Sequence, residues 1–112
     1  MLVAGFLFTN ACTKPGTGGK AHIHGHVEIE ATKTVAVDAE VEIWYDATSA
    51  SGTSDNKVHT DIDGKFEFEG LTKGDYYLSA SFTDTSGTAL TGGAAVTIDK
   101  KTGEFEVDLH LE

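Results

Sequence analysis

The chain has 112 residues and a formal net charge of −10, from 18 acidic and 8 basic side chains. One domain with a single core fits this length without disulfides or metal staples. The acidity excludes nucleic acid, whose phosphates demand a basic footprint, and by the same reasoning argues against electrostatic docking on anionic lipid. A hydrophobic content of 39%, with 13 Gly and one Pro, suits a strand-and-turn protein kept in solution by its charge, and no window carries sustained helical periodicity.

Leu2 to Phe8, LVAGFLF, is apolar, too short to span a bilayer, and followed by Thr9-Asn10-Ala11-Cys12. Cys12 is the only cysteine, so no intramolecular disulfide can form. Two readings are open here: a short apolar strand with a buried thiol, or a targeting segment. With small Ala11 just before Cys12, the run resembles the end of a bacterial lipoprotein signal peptide, in which the cysteine becomes the lipid-modified first residue. Thr9 departs from the leucine-like residue usual there. The resemblance implies lipidation of Cys12 and a place in the bacterial cell envelope, periplasmic or at the cell surface, with membrane contact through the anchor only. Thr13 to Lys20, TKPGTGGK, reads as a Gly-rich tether. Residues 1–20 are therefore expected to be loosely held, and residues 21–111 to form the domain.

Ala21 to Glu30, AHIHGHVEIE, alternates as a strand: Ile23, Gly25, Val27 and Ile29 share one face, and His22, His24, His26, Glu28 and Glu30 the other. Glycine at a core-facing position predicts a bulge or a close backbone approach. Residues 31–38 connect to a second strand with Ala39, Val41, Ile43 and Tyr45 inward and Glu40, Glu42 and Trp44 outward. Asp46 to Asn56 is a long polar loop. Val58, Thr60 and Ile62 then alternate with His59 and Asp61, Asp63-Gly64 supplies a two-residue hairpin turn, and Phe66 and Phe68 alternate with charged residues on the return strand. Tyr76, Leu78, Ala80 and Phe82 mark a fifth strand, Thr83 to Gly93 a polar connection, and Val96 and Ile98 a sixth strand. After a turn at Lys101-Thr102-Gly103, Phe105, Val107, Leu109 and Leu111 form the last. Leu111-Glu112 reads as the remnant of an expression tag. Seven strands spaced by about 8–12 residues predict an all-β sandwich. Its expected core is Ile23, Val27, Ile29, Val41, Ile43, Val58, Ile62, Phe66, Phe68, Leu71, Tyr76, Leu78, Val96, Ile98, Phe105, Val107 and Leu109.

Thr60-Asp61, Asp63-Gly64, Lys65-Phe66, Gly70-Leu71 and Gly74-Asp75-Tyr76-Tyr77-Leu78 together resemble the recurring pattern of carboxypeptidase regulatory-like and CnaB-like domains. These are small transthyretin-type, prealbumin-like β-sandwiches with an Ig-like layout. The resemblance implies a seven-stranded sandwich whose first strand lies in one sheet with the C-terminal strands, and it points to fold more than to activity. Two activities of such folds lack their residues here. Internal isopeptide bonds need a strand lysine and an asparagine near the C-terminus, but Lys20 precedes the first strand and the last strand, EFEVDLHL, has no asparagine. The hydrolase branch ends in Tyr-Arg-Gly-Ser, and no arginine stands at this C-terminus.

His22, His24 and His26 are the one cluster with ligand chemistry. Alternate residues on a strand stand about 6.6 Å apart, so two neighbouring imidazoles can lean onto one ion at about 2.0 Å from each nitrogen. All three cannot, because His22 and His26 are separated by about 13 Å. A usable site needs a ligand from a neighbouring strand, and the last strand offers Glu104, Glu106, Asp108 and His110 on its outward face. His22/His24 or His24/His26 with Asp108 or His110 makes a mixed N/O site for zinc, copper or nickel. A solvated face that carries histidines is the plainer alternative. Trp44, on a charged face, reads either as a stacking platform for a carbohydrate or protein partner, or as a ring covered by a loop. No nucleophile elbow, phosphate-binding glycine pattern or buried carboxylate pair occurs. The expected function is thus a non-catalytic binding or structural module of a lipid-anchored envelope protein, with divalent metal binding as the alternative.

Overall fold

The computed structural model describes residues 15–112, so Cys12 and the apolar run before it lie outside the described residues. Every regular element among the described residues is a strand: β1 (Thr17–Ile29), β2 (Thr34–Val35), β3 (Glu40–Tyr45), β4 (Asn56–His59), β5 (Lys65–Leu71), β6 (Gly74–Thr83), β7 (Ala89–Ile98), β8 (Thr102–Glu106) and β9 (Leu109–Leu111). They form two sheets. In one, β1 is central, with β2 and β5 antiparallel to it on one side and β8 and β9 parallel to it on the other. The other runs β4-β3-β6-β7, antiparallel throughout. The chain is an all-β sandwich, with the first strand in the sheet of the C-terminal strands as expected. All seven expected strands are present; the additions are the two-residue β2 and the division of the last strand into β8 and β9.

Between the sheets lie Ile23, Val27, Val41, Ile43, Phe66, Phe68, Leu71, Tyr76, Leu78, Ile98 and Leu109. All but Leu71 come from the inward phase of their strands, and Leu71 turns inward after the alternation breaks at Gly70, whose φ is 69°. Ile29, Val58, Val96, Phe105 and Val107 pack at the margin of this core, partly buried. Small residues complete it: Ala21, Ala36, Ala39 and Ala80 are buried. Tyr76 is fully buried, and its hydroxyl donates to the Thr72 carbonyl at 2.6 Å while accepting from the Gly16 amide at 2.9 Å. A buried phenol needs such partners, and these tie the entry of β1 to the β5–β6 turn. β1 accordingly begins at Thr17, inside the segment expected to be a loose tether.

Three further expectations are corrected. Asp63-Gly64 does not close a hairpin, because β4 pairs with β3 and β5 pairs with β1. Residues 60–64 instead form a corner that carries the chain from one sheet to the other. β4 ends at His59, which leaves Ile62 at the tip of that corner, 79% exposed and outside the core. Strand β7 starts at Ala89, so the connection from β6 is shorter than the polar run suggested. Gly92 lies within β7 because the His110 carbonyl passes there: a Cβ would stand 2.0 Å from its oxygen. Leu111, whatever its origin, takes part in the fold. It is fully buried, pairs with Ile29, and is followed by Glu112 exchanging backbone hydrogen bonds with Thr91 of β7, which closes the sandwich at one corner.

The Thr60-Asp61 dipeptide builds the other corner. The Thr60 hydroxyl donates to the Ala36 carbonyl at 2.6 Å and accepts from the Ala39 amide at 2.8 Å. Asp61 accepts the Asp63 and Lys65 amides on one carboxylate oxygen, both at 2.9 Å. The Lys65 amide, and then that of Asp63, holds the Asp61 carboxyl below the usual carboxylate range against the cost of desolvation.

Candidate functional site

The outer face of the first sheet collects most of the chain's chemistry-bearing side chains. Along β1, His22, His24, His26 and Glu28 point away from the core and are half-buried, with Glu30 just beyond the strand end. β8 and β9 run beside them in one continuous parallel register that sets His22 opposite Glu104, His24 opposite Glu106, and Glu28 opposite His110. On the far side, β5 sets Glu67 opposite His24 and Lys65 opposite His26.

The register survives an interruption at Val107 and Asp108. The His26 amide finds the Asp108 carboxylate at 3.1 Å in place of a carbonyl, and the Val107 amide donates to the His24 carbonyl at 2.9 Å. Gly25 makes this possible: a Cβ on it would meet the Val107 carbonyl oxygen at 1.7 Å. The expected close backbone approach at this core-facing glycine is thus present, and it is what aims Asp108 at His26.

Three imidazole–carboxylate meetings follow along the face. His24 Nε2 lies 3.3 Å from Glu104, His26 Nδ1 lies 3.6 Å from Asp108, and His110 Nδ1 lies 3.4 Å from Glu28 and 3.2 Å from Glu30. Two of them gather a third ligand. His26, Glu106 and Asp108 form one group and Glu28, Glu30 and His110 another, with potential ligand atoms all within 4.8 Å of one another in each. The expected pairing of adjacent β1 histidines on one centre is not formed. His24 and His26 each reach sideways to the acidic strand next to them, since that strand is closer than the about 6.6 Å to the next histidine on the same face. His22 joins neither group; its Nδ1 is shut off from solvent without a hydrogen-bond partner.

Glu30 is also bound by Lys33, whose ammonium holds the carboxyl below its ordinary range, with His110 adding to the effect. Lys33 is itself pushed upward by the same pair. A groove of about 650 Å³ opens over the His26 group, lined among others by His24, His26, His59 and Asp61. His59 and Asp61 come from the opposite sheet and the corner, a juxtaposition that only the crossover at residues 60–64 produces. Glu28, Glu30 and Glu106 were legible as same-face residues by their alternation, but their grouping depends on the parallel register, for which no local sequence signal exists.

Trp44 lies beneath the loop that follows β3. Its indole nitrogen donates to the Gly52 carbonyl at 3.3 Å, its ring packs against Tyr77 with centroids 6.3 Å apart, and only 8% of the residue is exposed. A stacking ligand would have to displace that loop.

No protein-family model matches the chain, and no curated protein matches it by sequence. Among solved structures it is similar to BcpA, the major pilin subunit of Bacillus cereus, with a TM-score of 0.54 and 16% identity over 82% of this chain and 30% of that one. It thus spans less than a third of the pilin's length. It is similar along nearly its whole length to a proposed carbohydrate-binding protein from Pseudomonas aeruginosa, at TM-score 0.51 and 17% identity over 97% and 99% of the two chains. The 5-hydroxyisourate hydrolase of Klebsiella pneumoniae is similar at TM-score 0.51 and 16% identity, over 87% and 94%. Likeness at this identity establishes the fold alone, and that fold is the prealbumin-like β-sandwich.

Proposed function

We propose that this chain is a non-catalytic binding module of the bacterial envelope, held at the membrane by a lipid on Cys12, whose working surface takes a divalent transition-metal ion on the outer face of the first sheet. The observation that carries the metal reading is the gathering of one imidazole and two carboxylates within 4.8 Å, twice on the same face. Nitrogen with oxygen donors suits zinc, copper or nickel. The non-catalytic reading rests on the sequence, which carries no nucleophile elbow and no phosphate-binding glycine pattern. The anchor reading rests on the sequence around Cys12.

Titration with zinc, copper or nickel, with any affinity tag removed, tests the metal reading through imidazole NMR signals. The His26 and His110 resonances should shift at near-stoichiometric metal, and His26→Gln and His110→Gln should each abolish one set. Unmoved resonances would sink it. Separately, Cys12→Ser should release the full-length protein from bacterial membranes, and unchanged partitioning would refute the anchor.

A further inference from the structure

The charge of the molecule is unevenly spread. At the end of the sandwich where β1 begins, a cleft of about 870 Å³ lies between the β5–β6 turn and the β7–β8 turn. Three of the chain's eight basic residues, Lys20, Lys73 and Lys101, line it, and Lys100 sits beside Lys101 in the same turn. All four are exposed. Among the described residues none of the four has a carboxylate partner, whereas Lys33 and Lys57 are paired with Glu30 and Glu40. Asp75 also lines the cleft, its carboxylate accepting from the Thr97 hydroxyl at 2.7 Å, so two carboxylates, Asp75 and Asp99, stand against the four ammonium groups there. Asp99 adjoins the lysine pair. The local balance is therefore basic in a chain of net charge −10. Unpaired ammonium groups held near one another repel, and an anion seated among them relieves that repulsion.

The place of this cleft matters as much as its charge. Pro15 packs over Gly74, one of the cleft residues, and Gly16 is bound to the adjoining turn through Thr72 and Tyr76. Two residues, Thr13 and Lys14, separate Pro15 from Cys12, so three Cα-to-Cα steps span about 11 Å at most whatever their conformation. A lipid on Cys12 therefore holds the lysine end of the sandwich at headgroup level. The His26 group lies about 20 Å away along β1, so the two sites are separate.

We infer that the lysine-lined cleft is a phosphate-binding site that takes the headgroup phosphate of an anionic lipid, orienting the sandwich on its membrane. This rests on the anchor reading for its choice of lipid, and the test removes the anchor so that the two can fail independently. Full-length Cys12→Ser protein is mixed with vesicles of phosphatidylcholine alone, and with vesicles of equal parts phosphatidylglycerol and phosphatidylcholine. Glycerol phosphate is titrated in parallel against the amide NMR signals. The amides of Gly18, Gly19 and Gly74 should shift with glycerol phosphate, and the protein should favour the anionic vesicles, less so as salt is raised. Lys73→Gln with Lys101→Gln should lower that partitioning by about fivefold per lysine removed. Lys33→Gln with Lys57→Gln removes the same charge elsewhere and should leave it within about twofold of the parent, lying outside the contact. Unchanged amide spectra away from the cleft certify the fold of each variant. Shifts with glycerol phosphate but equal retention on both vesicles overturn the lipid assignment in favour of a soluble anion. Absent shifts, or a control variant that loses as much binding as the cleft variant, overturn the site itself.

Discussion

Gly25 on β1 and Val107 at the break between β8 and β9 approach so closely that a Cβ on the glycine would stand 1.7 Å from the Val107 carbonyl oxygen. Backbone occupies the space, and no side-chain rotation can clear it. Gly25→Ala should therefore destabilise the fold by about 3 kcal/mol, the upper end for an overpacked interior position. It should also push residues 107–108 outward and separate Asp108 from His26. Urea unfolding reads the first effect. The His26 imidazole signal, no longer responsive to metal while that of His110 still is, reads the second. Wild-type stability in the variant would mean that β8 and β9 are not held to β1 as described.

Thr60 is a buried polar residue whose hydroxyl serves two backbone groups at once, the Ala36 carbonyl and the Ala39 amide. Valine preserves its shape and removes both partners. Each buried group left unpaired costs about 1–3 kcal/mol, so Thr60→Val should lose about 3 kcal/mol in total with an unchanged urea m-value. A loss below about 0.5 kcal/mol, ordinary for a surface change, would show that the corner is not pinned there.

The same residue shows where sequence reasoning reached and where it stopped. Alternation of side chains identified the strands, though only the end of β7, and nearly all of the large core residues, because each strand has one buried face and phase decides which. It placed Thr60 and Ile62 together on the inward face of a continuing strand. Phase holds only while the strand lasts, and Asp61 ends it by turning its carboxylate onto the amides of Asp63 and Lys65. Thr60 stays inside as a hydrogen-bonding post, while Ile62 swings out to the tip. An Asp-Gly pair has the same local chemistry in a hairpin and in a crossover between sheets, so the distinction lay in long-range pairing. The candidate site divides likewise. The histidine face and the acidic last strand were legible residue by residue, but which acid meets which imidazole follows from the register of β1 with β8 and β9.

Acid should weaken the fold through its turns. Asp61 and Asp84 both sit below the usual carboxylate value of 3.8. The Lys65 amide is the first cause for Asp61, and the Ser86 hydroxyl followed by the Thr88 amide for Asp84. A folded-state pKa lower than the unfolded one contributes stability above the unfolded value, and that contribution is lost as pH falls through the folded one. The thermal midpoint should accordingly stay level from neutrality to about pH 5 and decline below about pH 4. Asparagine keeps the acceptor oxygen without the charge, so Asp61→Asn should be less stable than wild type at pH 7 and converge with it in strong acid. A constant gap across the range would show that the Asp61 charge is not what the turn uses.

Lys33 and a metal ion compete for the same oxygens. Its ammonium occupies Glu30, one of the three ligands gathered with Glu28 and His110, while among the described residues no lysine pairs with Glu106 or Asp108 of the His26 group. A divalent ion entering the first group must displace Lys33 or accept a carboxylate already shared with it, and the extra positive charge nearby opposes its entry. Lys33→Ala should therefore raise metal affinity at His110 by about threefold, the modest scale of a solvent-exposed ion pair. Affinity at His26, on another stretch of β1, should not change. Site-resolved imidazole titrations of the variant and its parent give both numbers in one experiment. Equal gains at the two histidines would show a general effect of net charge, and no gain at His110 would show that Lys33 does not guard the group.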